Sequence, residues 1–381
     1  MPNRCLFPAL TLALALEGAG VLSAQRLDFP PEEFDERRER LCEKLRADGG
    51  GDLLLFSETL PRWGVRFRQD HDFWYLTGVE SRNAALVLAP KECEAILFLP
   101  VQGEREKFID GPNWLEAPEE AEGWGFDEIH PANYLPEFLA RRREPGPQTL
   151  WVRLSERDEI DSSRGEKSLH YGRREANAWA AQPSTEAWQI ATLRERYPYY
   201  ELADVTPHLD RLRTIKTERE IEVLRHNGRV SAEGIARAIA ATRPRGWEYE
   251  LEAEAKYAFL RSGAEMEAYP AIVGSGPNVN LWHYNDNSRQ LEDGDLVVMD
   301  YGASFAYLTM DITRTWPVTG RFDELQERAY RAVLEAQKAI IEAMKPGATR
   351  EETREICRRI YDKWGFEDAR AHGAGHFVGL A

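Results

Sequence analysis

The sequence is poor in cysteine. Its four, Cys5, Cys42, Cys93 and Cys357, stand far apart, and none belongs to a Cys-x-x-Cys pair. That argues against a zinc knuckle or a thioredoxin-like site, and so few in 381 residues predict no disulfide framework. Basic stretches with interleaved aromatics are also missing. Lys plus Arg is 49 against 65 for Asp plus Glu, a net charge of −16. Such a chain repels phosphate backbones, so nucleic acid is not an expected partner. Beyond the N-terminus, no segment approaches the ~20 consecutive apolar residues of a membrane-spanning helix. There is no Walker A loop and no G-x-S-x-G. Gly274-Ser275-Gly276-Pro277 begins like a dinucleotide fingerprint, but the third glycine is absent and no helix follows. Repeats, low-complexity tracts and heptads are absent.

What is present describes a globular chain. Hydrophobic residues are 43%, charged residues 30%, and the 11 tryptophans fit a large core. The length predicts two domains. Residues 1–24 have the outline of a secretory signal: Arg4, an apolar run from Leu6 to Leu16, then small residues up to Ser23-Ala24. The expected consequence is export, to a periplasm or the exterior. Glu17 and Leu22 depart from the pattern, and the alternative is an apolar helix packed on a cytoplasmic protein.

Residues 31–48 carry Phe34, Leu41 and Leu45 at helical spacing, and Gly49-Gly50-Gly51 ends that helix. Residues 52–56 read as a buried strand. Asn83 to Ala89 and Cys93 to Leu99, parted by Pro90-Lys91, predict a hairpin. Leu150 to Leu154 is another strand, so this half is α/β. Residues 155–180 read as a surface loop or insertion, and a domain boundary falls around 195–215. A helix from Glu218 to Pro244 and another over 248–261 open the second half. Strands follow at 271–273, 296–299 and 307–315. Helices run from Glu324 to Met344 and, after the capping box Thr349 to Glu352, to Trp364.

The chemistry gathers in the second half. Asp300 ends the apolar run Leu296 to Met299, and Asp311 lies 11 residues later. If their strands pair, the two carboxylates meet. A charge at the end of a buried strand needs a partner or a metal, and two adjacent carboxylates repel until a cation relieves them. Alone, either aspartate reads as a turn or cap residue; as a pair they read as ligands. His283 lies in a polar, turn-rich segment. His372 and His376 have the His-x3-His spacing of helical zinc sites, but Gly373 and Gly375 point instead to a turn leading into a strand. Mixed Asp and His donors suit Mn, Fe, Co or Zn better than Ca or Mg.

Together these residues resemble the creatinase/aminopeptidase P family of pita-bread metallohydrolases. Ala271 to Asn278 followed by His283-Tyr284, then Asp300-Tyr301-Gly302, Asp311 to Thr315 and His372 to His376 match its motifs in order. Phe67 to Gly78 resembles the N-terminal domain of aminopeptidase P and prolidase, and Arg211 to Glu218 the approach to the catalytic domain. The likeness spans about residues 30–381. It implies a creatinase-type α/β N-terminal domain over 28–205 and an α+β pita-bread catalytic domain over 206–381. It further implies two Mn²⁺-like ions, with Asp300, Asp311 and His376 among the ligands and His283 and His372 lining the pocket as catalytic groups. The implied reaction is hydrolysis of an N-terminal Xaa-Pro bond by a homo-oligomer whose partners are peptides with proline second. A prolidase-type Xaa-Pro dipeptidase is the runner-up, and a non-catalytic peptide-binding module the reading from another class. The family's two Glu ligands fall downstream of Ala381. The expectation is therefore a truncated catalytic domain with three of five ligands, whose metal affinity and activity are poor or absent.

Overall fold

The computed structural model describes residues 28–59, 66–143, 145–160, 162–177, 179, 181–368 and 375–380. The signal reading at 1–24 and His372 lie outside them. Helix α1 (Pro31–Ala47) has proline in its first turn, Glu32 and Glu33 at its positive end, and Lys44 and Arg46 at its negative end. Gly49, Gly50 and Gly51 follow with φ of 100°, 80° and 98°, a left-handed run that stops the helix. Then come β1 (Asp52–Phe56), α2 (His71–Thr77), β2 (Ala85–Ala89), β3 (Glu94–Leu99), α3 (Glu104–Asp110), β4 (Glu128–Pro131), α4 (Leu135–Arg141) and β5 (Gln148–Val152). Helices α5 (Arg164–Glu175) and α6 (Thr185–Arg196), strand β6 (Tyr200–Asp204) and helix α7 (Thr206–Thr214) complete this half.

Its six strands form one sheet in the order β4-β3-β2-β1-β5-β6. The expected hairpin is there, as β2 and β3 pair antiparallel with Val87 opposite Ile96. Alternate residues bury on opposite faces. Leu53, Leu55, Leu86, Leu88 and Leu97 join one core, and Leu54, Val87, Ile96 and Phe98 the other. Covered on both sides, these strands read as unbroken apolar runs.

Two expectations fail here. The stretch 155–180 is not all loop: α5 starts where Ser163 and Glu166 cap each other, Glu166 Oε2 accepting from the Ser163 amide at 2.8 Å. That reciprocal bond satisfies two helix-end donors. Cysteine scarcity also misled, because Cys42 of α1 is bonded to Cys93, with Cα atoms 5.7 Å apart. The two sit 51 residues apart in sequence and meet only when α1 lies against the β2–β3 hairpin.

The second half opens with α8 (Glu218–Ala241) and α9 (Glu248–Arg261), packed on each other. Gly234 permits the closeness, since a Cβ there would lie 2.3 Å from Phe259 Cε1. Strands β7 (Met266–Glu267), β8 (Ile272–Ser275), β9 (Leu296–Asp300), β10 (Ala303–Phe305), β11 (Leu308–Thr309) and β12 (Thr313–Pro317) follow. They form two sheets, β12-β9-β8 and β11-β10-β7. The strand expected over 307–315 is therefore split. Gly302 shows why: a Cβ there would lie 1.7 Å from the Met310 carbonyl oxygen, so the chain crosses itself between the two sheets. The strand expected after Gly375 is not formed among the described residues, where Gly379 offers its carbonyl to Thr309 without a continuing ladder. Helices α10 (Glu324–Ala343) and α11 (Arg350–Lys363) pair around Ala336, Cys357 and Ile360, as their capping signals predicted.

One apolar core runs through both halves. At the tip of the β10–β11 hairpin, Tyr307 stacks on Trp74 of α2 with ring centroids 4.3 Å apart.

Candidate metal centre

Strand β9 delivers Asp300 at its end, between β8 and β12, opposite Ile272 on one side and Thr313 on the other. Asp311 arrives after the β10–β11 hairpin, two residues before β12 begins. The antiparallel return brings the two carboxylates close enough for each to shift the other's titration, as the strand pattern predicted. His376 completes the group, its Nε2 lying 2.9 Å from Asp311 Oδ2 and its Nδ1 2.9 Å from the Phe377 carbonyl.

Each group shifts in the direction that this crowding demands. Burial raises the Asp300 carboxyl, and the Asp311 charge adds to it. The bond to His376 lowers the Asp311 carboxyl, against the effect of burial. The same bond lifts the His376 imidazole to about 9, helped by the Phe377 carbonyl. The three side chains thus meet as two pairs sharing Asp311. Among the described residues, no group of three or more His, Cys, Asp and Glu side chains surrounds a single metal position. The donor set nonetheless fits a divalent ion. No lysine or arginine neutralises Asp300 or Asp311 among the described ion pairs, and carboxylate oxygens with an imidazole suit such a cation.

Residues 222–381 match the metallopeptidase family M24, and residues 34–151 match the aminopeptidase P N-terminal domain. An Xaa-Pro aminopeptidase of Haemophilus influenzae is 32% identical over 380 residues, covering 92% of this chain and 80% of that protein. The chain belongs to the creatinase/aminopeptidase P family. Among solved structures, Pseudomonas aeruginosa aminopeptidase PepP superposes with a TM-score of 0.75 at 26% identity, over 93% of this chain and 81% of that one. Zinc-substituted Escherichia coli aminopeptidase P in complex with product gives 0.73 at 26% identity, over 93% and 81%. The Xaa-Pro dipeptidase of Pyrococcus furiosus is 36% identical over 191 residues, half of this chain and 55% of that protein.

Within this aminopeptidase P frame, His283 stands apart from the three candidate ligands. It is exposed, on the loop after the turn at Gly276–Asn280, and has no hydrogen bond or ion pair among the described residues. The nearby group that feels its charge is Glu166 at the start of α5. That carboxyl is lowered chiefly by its bonds to Ser163, with His283 adding a little.

Several residues escaped the sequence reading. Tyr269 donates to Asp300 Oδ1 at 2.5 Å, and its own hydroxyl is driven upward by burial and then by the Asp300 charge. Thr313 lies opposite Asp300 in the ladder and holds its carboxyl down a little. Glu248, wholly buried at the start of α9, accepts from the Ser275 amide (2.6 Å), Ser275 Oγ (2.7 Å), Asn278 Nδ2 (3.3 Å), Tyr284 OH (2.8 Å) and the Arg289 amide (2.8 Å). It ties down both ends of the loop that carries His283. In the sequence, Glu248 looks like any acid in a first helical turn, and Tyr269 like a residue before proline.

Proposed function

We propose that the protein removes the N-terminal residue from peptides whose second residue is proline, using divalent ions held by Asp300, Asp311 and His376. The observation that carries this reading is the Asp311–His376 contact at 2.9 Å, beside a second half-buried carboxylate, Asp300, close enough that its own carboxyl is raised by the Asp311 charge. Two carboxylates in contact require a proton or a cation between them. Of the cations that suit oxygen and imidazole donors, we assign two Mn²⁺ ions. When bound, such ions lower the pKa of a shared water and polarise the scissile carbonyl.

The chain's own residues do the rest. Tyr269 donates to Asp300 and aims its carboxylate. The acidic pair attracts the free amine of the substrate. Glu248 holds the loop that carries His283, which we assign to proton transfer or leaving-group stabilisation. His372 is assigned to the same pocket. A tertiary amide before proline lacks the N–H that many sites bind, which accounts for a dedicated enzyme.

The 36% identity of half of this chain to a dipeptidase favours a second reading, cleavage of Xaa-Pro dipeptides alone. Rates on Xaa-Pro-Xaa tripeptides and Xaa-Pro dipeptides, measured with Mn²⁺, separate the two. Release of the first residue from tripeptides is expected. Turnover confined to dipeptides supports the dipeptidase, and no turnover with metal bound leaves a peptide-binding module. We also propose export, which the pattern of residues 1–24 and the Cys42–Cys93 bridge support, since disulfides persist in oxidising compartments. A homo-oligomer is proposed from the family resemblance.

A further inference from the structure

We propose that Arg68, a residue of the first domain, is a positioning residue for two of the candidate ligands, Asp311 and His376. The inference rests on the reading of those two as metal ligands. The Arg68 guanidinium has four partners. Nε donates to His71 Nε2 at 3.0 Å, and Nη1 to Ser304 Oγ at 3.0 Å. Nη2 donates to the Tyr307 carbonyl at 2.7 Å and to the Leu380 carbonyl at 3.0 Å. Three of these acceptors belong to the second domain. Tyr307 lies four residues before Asp311, and Leu380 four residues after His376. One nitrogen therefore bridges the two segments whose side chains meet at 2.9 Å.

Besides the Leu380 side chain, which is buried in the main core, few hydrogen bonds among the described residues fix that spacing. The backbone of 375–380 is tied to the rest by Arg68 at Leu380 and by Thr309, whose amide and Oγ1 reach the Gly379 carbonyl at 2.6 and 3.0 Å. Thr309 itself belongs to the hairpin that Arg68 holds. The hairpin tip is not a relaxed turn, for Ala306 and Tyr307 have φ of 46° and 67°. Such backbone persists only where surroundings over-determine it. Glu265 of the second domain accepts from the Ala306 amide at 2.9 Å and the Tyr307 amide at 3.4 Å, and first-domain groups hold the Tyr307 side chain: the Trp74 ring, the Gln69 amide donating to Tyr307 OH at 2.9 Å, Glu80 accepting from that hydroxyl at 2.6 Å, and the Arg68 guanidinium 4.6 Å over the ring. A planar, five-donor fork suits this bridging; an ammonium does not reproduce it.

The test compares Arg68→Met and Arg68→Lys with Arg37→Met in the full chain. Arg37 is a fully buried cross-domain arginine, more buried than Arg68, bonded to Glu33, the Tyr75 carbonyl and Glu220, but to neither ligand segment. Calorimetry gives the Mn²⁺ affinity, and hydrogen exchange on the metal-free proteins gives protection of the Thr309 amide. Both Arg68 variants are expected to weaken Mn²⁺ binding at least tenfold and to speed Thr309 exchange, while Met299 in β9 stays protected. Arg37→Met is expected to lower the thermal midpoint and leave affinity within twofold. If Arg68→Met does not fold, Arg68→Lys, which keeps the charge and loses the fork, carries the test. Faster Thr309 exchange with unchanged Mn²⁺ affinity overturns the proposal and leaves the ligand reading standing. No Mn²⁺ uptake by the unsubstituted chain overturns both.

Discussion

Two clusters of acids, one in each domain, meet opposite surroundings. In the first domain, Asp72 is wholly buried and receives Arg153 at 3.0 Å, Arg164 at 2.9 Å and Arg213 at 2.6 Å. Asp158 is bound by Arg213 and faces His71, while Asp70 and Glu186 share Arg153. Burial pushes the Asp72 carboxyl upward, and Arg164, Arg213 and Arg153 override it and hold it well below the usual range. In the second domain, Asp300 and Asp311 have each other, the Tyr269 hydroxyl and one histidine. There Asp300 is pushed up. Balanced acids form a structural network; unbalanced acids form the place where a cation lowers the energy.

The sharpest way to break this contrast is to remove one acid from each cluster. Asp311→Asn is expected to abolish tight Mn²⁺ binding and to lower peptidase activity about a thousandfold or more, because a proposed ligand of the activated water is gone. The metal-free variant is expected to lose only about 1 kcal/mol of stability, since what it gives up is the half-exposed pair with His376. Calorimetry and thermal melting check this. Asp72→Asn should do the reverse. It strands buried arginines and is expected to cost about 3–5 kcal/mol of stability by denaturant titration. Equal destabilisation by both substitutions would erase the distinction.

Acid sharpens it further. Asp72 and Asp158 are both depressed when folded, so their contribution is fully present above the unfolded carboxyl value and is lost as pH falls below about 4. Stability of the metal-free chain is expected to fall steeply between about pH 4 and 2. In Asp72→Asn the slope over that window should be shallower. The smallest effect belongs to Tyr269→Phe, which removes the donor to Asp300. About 1 kcal/mol of stability and up to tenfold in Mn²⁺ affinity are expected, with the fold intact by circular dichroism. An unchanged affinity would show that Asp300 needs no orienting hydroxyl.

Reading the chain alone found the ends of these arguments and missed the middle. Asp300 and Asp311 were legible because an apolar run ending in Asp, with a second Asp on the next extended segment, has few readings other than a paired site. The β2–β3 hairpin was legible for a similar local reason. Helix α5 was legible in principle, through Ser163 and Glu166, but its polar composition hid it. The bridge between Cys42 and Cys93 and the crossing at Gly302 left no local trace.

The sequence by itself determined the elements with strong periodicity or caps, the order of the motifs, and which residue types could bind a cation. These depend on neighbours within one helical turn or one strand, so the order of residues carries them. The tertiary structure alone decided that Arg68 reaches the Tyr307 and Leu380 carbonyls, that Glu248 holds both ends of the His283 loop, and that Asp72 rather than Asp300 meets arginines. Those outcomes depend on contacts between residues tens to hundreds of positions apart. Burial and the distance between charges set their energies, and neither exists until the chain has folded.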